Sequence, residues 1–384
     1  MPFSRLQLQL EERASSGLLR LRHTLAGPQG AHVEVDGKRY VSFSSNDYLG
    51  LAGHPRVARA LCSGAEIHGV GAGAAHLVTG HSIAHERLER ELAAFVGKPS
   101  ALLFSTGYMA NIGVVQALLG RNDTVYADRL NHASLNDAML LSHATVRRYR
   151  HSDLDQLERM LGETSNGQKL VMTDAVFSMD GDRAPLPELL ALCEQHDAWL
   201  LIDDAHGFGV SGMRGRGSLS HFGIDSPRII YMATLGKAAG VFGAFVAAEK
   251  VVIETLINNA RSYIYTTATP PALSVALSES LVLIDEADEA RGHLQALIKH
   301  LRKSLEGIRW RLMESQTPIQ PLLIGKNQEA TDVSMGLRER GIWVVAIRPP
   351  TVPDGTARLR IALSSRHDFS DIDNLAKALH EIAR

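Results

Sequence analysis

The 384 residues leave room for two or three domains, and a content of 45% hydrophobic and 21% charged residues is typical of a globular protein with a sizeable core. A net charge of -2 gives no reason to expect nucleic acid or an anionic membrane as a partner, and no apolar run of about 18 residues predicts a membrane span. Two cysteines in so long a chain, and an N-terminus without a signal-peptide pattern, indicate a reducing compartment, so we expect a cytoplasmic protein.

The first predicted elements are a helix and a β-hairpin. Residues 4–21 place charged and apolar side chains at helical spacing, and residues 33–35 and 39–43 predict strands on either side of an Asp36-Gly37 turn, the strongest short hairpin signal. Residues 69–80 are dense in glycine but follow no strand. They therefore predict an active-site loop rather than a dinucleotide-binding turn.

One predicted helix carries side chains that metal ions bind. This helix is predicted at residues 83–95, and His81, just before it, shares a helical face with His85 and Glu89. No third ligand follows in the pattern of the zinc proteases, and inward packing of Leu88 and Leu92 accounts for the helix. We therefore expect no metal ion.

The central part of the chain repeats a strand, a loop and a helix. The short apolar runs that predict its strands lie at residues 101–104, 124–127, 170–173, 199–202, 228–233 and 241–248. This repeat predicts a mostly parallel sheet, and polar residues that follow such strands lie where open α/β sheets bind ligands. A helix that begins just after Gly107 would offer backbone N–H groups to a phosphate.

Three polar residues together indicate the chemistry of pyridoxal phosphate (PLP). Asp203 and His206 follow the strand at 199–202, and their spacing suits a carboxylate at a protonated pyridine nitrogen and an imidazole at a phenolic oxygen. Lys237 lies among small residues, where a planar group can approach its amine and reduced solvation makes it a nucleophile for Schiff-base chemistry. A single lysine in a glycine-rich loop is most often only solvated, and Asp203 and His206 decide against that interpretation.

A competing motif lies between these residues. Residues 207–212 match the pattern G-x-G-x-x-G just after a strand, which would suggest a dehydrogenase. Dinucleotide binding requires a helix from about Gly209 to Ser220, whereas the glycine-rich continuation through Gly217 predicts a loop.

The C-terminal part predicts a smaller α/β domain. A helical stretch at residues 272–308 precedes strands near 319–324, 342–347 and 357–363, and a last helix opens with a capping-box spacing at Ser370. Arg348 lies in a proline-rich loop. It offers a bidentate fork for a carboxylate, although an arginine between prolines equally suits a surface turn.

The motifs at residues 203–207 and 234–237 resemble those of the α-oxoamine synthases, which are fold-type I PLP enzymes. The resemblance runs from about Arg20 to the C-terminal helix. It implies an α/β fold with a mostly parallel seven-stranded sheet between helices in a large PLP-binding domain at residues 46–280. An N-terminal helix and hairpin at 1–45 and a small C-terminal α/β domain at 281–384 complete the expected organisation.

The resemblance also implies roles for individual residues. The catalytic residues are Lys237, Asp203, His206 and His132, and the His132 ring stacks on the cofactor. Contacts to the cofactor are expected from Gly107, Tyr108, His132, Ser178, Asp203, His206, Thr234 and Lys237, and from Thr266 and Thr267 of a neighbouring subunit. Contacts to the substrate are expected from Arg20, Asn46, His132, Arg348 and Thr351. The chain departs from the family at Ala74 and Ala75, where relatives carry a hydroxyl, and at Asp174, where most have glutamate.

The reaction implied is a decarboxylative condensation of L-alanine with pimeloyl-CoA or a pimeloyl-carrier protein, in biotin synthesis, by a homodimer. The same machinery would serve relatives that use glycine with acetyl-CoA or succinyl-CoA, or serine with a long acyl chain, so the acyl group stays open. A non-catalytic binding protein on the same fold is disfavoured by the intact lysine, aspartate and histidine.

Overall fold

The computed structural model describes residues 2–163 and 167–384. These residues form two compact units. The terminal unit comprises the N-terminal segment through Gly50, Met179–Gly181 and Gly292–Arg384, and the central unit comprises Leu51–Ser178 and Asp182–Arg291. The expected domain boundaries at residues 46 and 281 stay a prediction.

The bounds of the regular elements are given in chain order. The strands are β1 (His32–Val35), β2 (Lys38–Ser42), β3 (Ser100–Phe104), β4 (Thr124–Asp128), β5 (Thr145–Tyr149), β6 (Lys169–Asp174), β7 (Ala198–Asp203), β8 (Ile229–Thr234), β9 (Ala244–Ala248), β10 (Arg311–Leu312), β11 (Ile319–Gly325), β12 (Ile342–Trp343), β13 (Ala346–Ile347) and β14 (Ala357–Ala362). The helices are α1 (Ser4–Ser15), α2 (Pro55–His68), α3 (Ile83–Val96), α4 (Gly107–Leu118), α5 (Ala133–Leu141), α6 (Leu154–Gly162), α7 (Leu186–Gln195), α8 (Ser218–Phe222), α9 (Lys250–Asn259), α10 (Arg261–Ile264), α11 (Pro271–Glu286), α12 (Asp288–Ser304), α13 (Asn327–Glu339) and α14 (Phe369–Ile382). No helix of the described residues is long and apolar enough to cross a membrane.

The central unit is organised on a seven-stranded sheet with the order β3-β9-β8-β7-β6-β4-β5. Every neighbouring pair is parallel except the two that involve β9, which runs antiparallel to β3 and β8. Every residue of β4 and β9 is buried, as expected for strands covered on both faces. The predicted mostly parallel, seven-stranded sheet is confirmed.

Helices α4, α5 and α9 cover part of this sheet with an apolar core. Leu102, Val114, Leu135, Met172 and Leu256 belong to one contiguous cluster, and each is at most 1% exposed. Burial of such side chains contributes about 25 cal/mol per Å² of apolar surface removed from water. The core therefore fixes the strands whose carboxyl ends carry the polar residues described below.

The terminal unit contains two small sheets. The hairpin of β1 and β2 has the predicted turn, in which Asp36 and Gly37 both adopt positive φ, and β12 joins β2 in parallel. The second sheet is antiparallel, with the order β10-β11-β14-β13.

Several element boundaries differ from those predicted. Helix α1 ends at Ser15 rather than near residue 21, because Gly17 adopts a positive φ that stops the helix. The helical region that follows β9 is divided at Ala260 into α9 and α10. The N-cap of the last helix is Asp368, two residues before the predicted Ser370, because Asp368 and Asp371 form the capping box, and the helix begins at Phe369.

The segment after β7 is not the helix that a dinucleotide fingerprint requires. It runs through turns and one 3₁₀ turn, Met213–Gly215, until α8 begins at Ser218. Gly209, Gly212, Gly215 and Gly217 all have positive φ, which an α-helix excludes. The predicted loop is confirmed.

Gly240 closes the loop between β8 and β9, and this position requires glycine. Its φ is +69°, and a Cβ atom there would lie 2.4 Å from the Ala52 amide nitrogen. We expect Gly240→Ala to lower the free energy of unfolding by about 2–5 kcal/mol, the sum of the left-handed backbone cost and a steric clash. Gly236→Ala is the matched control, since its nearest contact would be Thr234 Oγ1 at 3.8 Å. Thermal unfolding of both variants measures the difference, and equal melting temperatures would contradict the prediction.

Candidate active site

Polar side chains collect at the carboxyl edge of the central sheet. Strands β4, β6, β7 and β8 are parallel neighbours, and their last residues are Asp128, Asp174, Asp203 and Thr234. Carboxyl ends of parallel strands meet at one edge, where the crevices between loops form ligand sites. The loops that follow β4, β7 and β8 add His132, His206 and Lys237 to this edge.

Lys237 lies in the loop between β8 and β9, in contact with a histidine. Its Nζ atom is 2.8 Å from Nε2 of His206, which is only 6% exposed. The hydroxyl of Thr234 donates to the Gly243 carbonyl at 3.0 Å and so ties the ends of the loop together. The amine is therefore held half-buried in a fixed position.

Asp203 is a buried carboxylate with two neutral donors. Its Oδ2 atom accepts from Asn111 Nδ2 at 2.8 Å, and its Oδ1 atom accepts from the Ala205 amide at 3.0 Å. Only 4% of the surface of Asp203 is exposed. The charge on Asp203 acts on both His132 and Asp174, so these three groups belong to one electrostatic cluster.

Asp204, the next residue, has a structural role. Ser218 donates to it from both its amide and its hydroxyl, at 2.7 and 2.6 Å, and the Tyr231 hydroxyl donates at 2.8 Å. Burial raises the pKa of Asp204 to about 6, although these donors oppose the shift. The carboxyl group therefore anchors the start of α8 to β8.

His132 precedes α5 and is oriented by Asp174 and Ser134. Its backbone N–H donates to Asp174 Oδ2 at 2.7 Å, and its Nδ1 atom lies 2.8 Å from the Ser134 hydroxyl. Although the residue is exposed, protein atoms around the ring desolvate it and lower its pKa; the charge of Asp203 opposes this shift, and that of Lys237 adds to it. Burial, and then the charge of Asp203, raise the pKa of Asp174 well above its usual range.

Helix α4 begins at Gly107, close to the predicted start. The first amides of the helix, those of Gly107 and Tyr108, have no intrahelical acceptor, and the Thr106 hydroxyl caps the Met109 amide at 3.1 Å. The Tyr108 hydroxyl donates to Asp137. The helix dipole adds to the attraction of a phosphate at this end.

The remaining expected cofactor contacts lie in two loops. Ser178 follows β6 in a turn and is half-buried. Thr266 is half-buried and Thr267 exposed in the segment between α10 and α11, and among the described hydrogen bonds none joins them to Lys237 or Asp203. Their expected role in a neighbouring subunit stays a prediction.

The expected substrate residues lie in the terminal unit. Arg20, Arg348 and Thr351 line one pocket of about 470 Å³, whose wall also includes apolar residues such as Leu18 and Trp343. Arg20 Nη2 is 3.4 Å from the Thr351 hydroxyl. Arg348 donates to the Gly17 carbonyl and lies 3.4 Å from the Thr331 hydroxyl.

Asn46 lies apart from that pocket, beside an arginine that sequence reasoning did not single out. Its Oδ1 atom accepts from Arg360 Nη1 at 3.1 Å and from the Tyr48 hydroxyl at 3.3 Å. Arg360 is 5% exposed on β14. Two arginines two residues apart in an apolar strand, Arg358 and Arg360, are the signal that would have identified it, because charged side chains are rarely buried without a polar partner.

These groups suit the cofactor that the resemblance implies. Asp203 would provide a buried carboxylate for a protonated ring nitrogen, the start of α4 would provide amides for a phosphate, and Lys237 would provide the amine for an aldehyde. Asn111 adds a further observation. Its Oδ1 atom is buried, with no hydrogen-bond partner among the described residues, so the polar lining beside Asp203 is incomplete without a further group.

A second, half-buried charge cluster holds the loops beside β4. His151 Nδ1 is 3.1 Å from Asp128, and its Nε2 is 2.7 Å from Asp182. Burial alone would lower the pKa of His151, but hydrogen bonds to the two carboxylates raise it to about 10 from 6.5. The ring is therefore a cation at neutral pH.

We expect this histidine to make stability depend on pH. Because its pKa is raised on folding, its contribution is full below about pH 6.5 and falls as pH rises towards 10. His151→Gln should lower the melting temperature most at pH 6, with a gap that narrows steadily up to pH 10. The control is His143→Asn at an exposed position. A gap that stays constant with pH would contradict the prediction.

A family model and a curated relative both match nearly the whole chain. Residues 38–379 match the family model "Aminotransferase class I and II". The 8-amino-7-oxononanoate synthase of Nitrosospira multiformis is 62% identical over 375 residues, covering 98% of this chain and 95% of the relative.

Two solved structures share the fold. The serine palmitoyltransferase of S. paucimobilis, solved with a PLP adduct of myriocin, has a TM-score of 0.93 and 28% identity over 99% of this chain and 97% of that one. The 8-amino-7-oxononanoate synthase of Francisella tularensis has a TM-score of 0.78 and 31% identity over 89% of this chain and 97% of that one. This chain therefore belongs to the class I and II aminotransferase family and, within it, to the 8-amino-7-oxononanoate synthases.

Proposed function

We propose that the chain catalyses the PLP-dependent condensation of L-alanine with a pimeloyl thioester in biotin synthesis. The products are 8-amino-7-oxononanoate, CO₂ and the free thiol. The alanine Cα loses its proton and forms a bond to the acyl carbonyl carbon, while the C–S bond of the thioester breaks and the thiol leaves. The bond from Cα to the carboxylate then breaks to release CO₂, and a proton takes its place on Cα. The observation that carries the proposal is the grouping of Lys237, His206, Asp203 and His132 at one sheet edge, in a chain 62% identical to a relative that bears this activity in its name.

PLP, when bound, supplies an aldehyde that takes up the amino acid and a ring that withdraws electrons from Cα. Lys237 would hold the aldehyde before substrate binds and, once it is a free amine, would take the proton from the alanine Cα. Asp203, which is buried, would accept a hydrogen bond from the protonated ring nitrogen and so hold that proton in place. His132, with its lowered pKa, stays neutral at pH 7 and can donate a hydrogen bond to the acyl carbonyl.

The terminal unit offers groups for the substrates' carboxylates. Arg20 and Arg348 line the same pocket with Thr351, and apolar residues complete its wall. A guanidinium binds a carboxylate through two parallel hydrogen bonds, which suits both the amino acid and a diacid chain. Arg360, beside Asn46, is a second candidate for the amino acid's carboxylate.

The two candidate arginines can be compared directly. If Arg348 binds the α-carboxylate, Arg348→Lys should raise the KM for L-alanine roughly 10- to 100-fold, because the bidentate, charge-assisted bonds are lost. Arg360→Lys, measured alongside, should then change this KM much less. A larger rise of the KM for L-alanine in Arg360→Lys than in Arg348→Lys would assign the α-carboxylate to Arg360. An unchanged KM in both variants would contradict both assignments. The KM for the acyl donor serves as the internal control.

We further propose a homodimer in which Thr266 or Thr267 reaches the phosphate of the partner's cofactor. The position of both residues in a partly exposed segment supports this proposal. A cytoplasmic location is supported by Cys62 and Cys193, which are both free thiols. Pimeloyl-CoA and a pimeloyl-carrier protein are the two acyl donors to compare.

One experiment tests the proposed function. The purified protein with PLP is mixed with L-alanine, glycine or L-serine, and then with pimeloyl-CoA, acetyl-CoA, succinyl-CoA or palmitoyl-CoA, while absorbance, CO₂ and free thiol are followed. We expect product only with L-alanine and the pimeloyl donor. Preference for glycine or serine would transfer the chain to another α-oxoamine synthase reaction, and no spectral response to any amino acid would contradict PLP catalysis.

A further inference from the structure

Three histidines that have no role in the proposed mechanism lie together in the central unit, and one of them, His76, belongs to the glycine-dense segment at residues 69–80. His76 begins the short turn His76–Gly80, His81 follows that turn, and His85 lies in the first turn of α3. The ring centroids are 5.3, 5.0 and 5.6 Å apart, and Nδ1 of His76 is 3.0 Å from Nδ1 of His81. The sequence predicts no metal ion here, because no third ligand follows His85. In the fold, the third imidazole is that of His76, which lies seven positions before the first residue of α3.

One ligand atom from each of the three rings lies within 4.8 Å of the other two. Around a tetrahedral Zn²⁺ ion with bonds of about 2.0–2.1 Å, the ligand nitrogens are about 3.3 Å apart. The pair His76 and His81 is already close to this spacing, and a small rotation of the side chains would bring in His85. His81 is partly exposed, which gives an ion a route from solvent.

For two of the three rings, those of His85 and His81, the outer nitrogen has the kind of partner that metal-binding histidines need. His85 Nε2 donates to the Thr269 carbonyl at 2.8 Å, so Nδ1 carries the lone pair, which accepts from the Ser82 amide at 3.0 Å. Nε2 of His81 lies 3.5 Å from Glu86 Oε2, which leaves Nδ1 facing His76. Acceptors of this kind fix the ring and raise the basicity of the ligating nitrogen. A metal ion bound to Nδ1 of His85 would replace the hydrogen bond that this atom accepts from the Ser82 amide.

Two carboxyl groups and a tyrosine ring lie beside the cluster. Ligand atoms of Glu86 and Glu89 lie within 4.8 Å of one another and of His81. The Tyr263 ring stacks on that of His76, with centroids 4.9 Å apart, and among the described residues His68 also faces His85.

We propose that His76, His81 and His85 bind a divalent transition-metal ion of the Zn²⁺, Co²⁺ or Ni²⁺ type. Three imidazoles select these borderline ions over Mg²⁺ or Ca²⁺, which prefer oxygen ligands. Three protein ligands leave a coordination position for water. The bound ion joins the turn His76–Gly80 to α3, and through the His85 contact to Thr269, to the segment before α11.

The test uses the full-length holoenzyme, with PLP bound and any affinity tag removed, after treatment with chelator. Zn²⁺ binding is measured by titration calorimetry, and Co²⁺ binding by absorption above the PLP bands. We expect one ion per chain in the unmodified protein. His81→Gln, at a partly exposed position, should weaken binding by roughly 100-fold or more, and Glu86→Gln by about 10-fold. His143→Asn, at an exposed position away from the cluster, should leave binding unchanged.

A crystal grown with Zn²⁺ gives a second readout. An anomalous peak among the three rings is the expected result, and His76→Gln should remove it while the PLP absorbance, as a check of folding, is kept. The proposal is overturned if the unmodified protein binds no ion at stoichiometric concentration, if His81→Gln binds as well as His143→Asn, or if the anomalous peak lies elsewhere.

Discussion

Replacing Lys237 by alanine is expected to lower kcat by roughly 10⁴-fold or more and to remove the absorbance of lysine-bound PLP. The loss is large because one amine performs two steps, holding the aldehyde and moving the Cα proton. The structure gives the amine a fixed place, with Nζ 2.8 Å from His206 Nε2 and the loop closed by Thr234 and Gly243. No other lysine amine is expected to replace it.

Two further variants separate the charge of Lys237 from its chemistry. Lys237→Arg keeps a cation beside His206 but has no amine that can hold the aldehyde, so we expect the same loss of kcat and of absorbance. Lys250→Ala, at a position whose side chain is 80% exposed, should change neither. Single-turnover kinetics with L-alanine and a pimeloyl donor measures all three. A Lys237→Ala protein that retains more than about a hundredth of the activity would contradict the assigned role.

The fold of the central unit was largely predictable because its strands are short, apolar and repeated. Residues 124–127 and 199–202 read as buried strands, and the structure confirms them as β4 and β7. Boundaries set by single backbone angles were not predictable. The strand expected to begin at residue 241 starts at Ala244, because Gly243 has a φ of +104°.

The site residues were predictable where they lie on one strand and the loop that follows it. His206 comes three positions after Asp203, and this spacing places both at the same edge of the sheet. Contacts across the sequence were not predictable from pattern. Asn111 reaches Asp203 over 92 positions, and Arg360 reaches Asn46 over 314, so only the folded chain reveals these pairs.

The histidine cluster shows the same limit. Helical spacing identified His81 together with His85 and Glu89, although α3 begins at Ile83, after His81. His76 joins them because the turn His76–Gly80 reverses the chain, a geometry set by backbone hydrogen bonds from Val78 and Gly80 to the Ala75 carbonyl. Metal-ligand patterns that place the third ligand after the helix therefore do not include His76, which lies before it.

The second large effect is expected at Asp203, where Asp203→Asn should lower kcat roughly 10²- to 10³-fold. An amide has nearly the shape of the carboxylate but lacks the charge that keeps a proton on the ring nitrogen. The fold should tolerate the change. The new amide N–H₂ group would face a donor at Asn111, whose Oδ1 atom is buried with no partner among the described residues, and a flip of the Asn111 amide would offer that oxygen as acceptor.

The charge of Asp203 also raises the pKa values of Asp174 and His132. Removing this charge should therefore lower the pKa of both groups. Measurements of kcat, of PLP affinity and of melting temperature distinguish the outcomes. We expect a large fall in kcat with a nearly unchanged melting temperature, and partial recovery in Asp203→Glu, which restores the charge at the wrong length. A variant Asp203→Asn with normal kcat would show that the ring nitrogen needs no buried carboxylate, and it would remove the electrostatic basis of the mechanism proposed above.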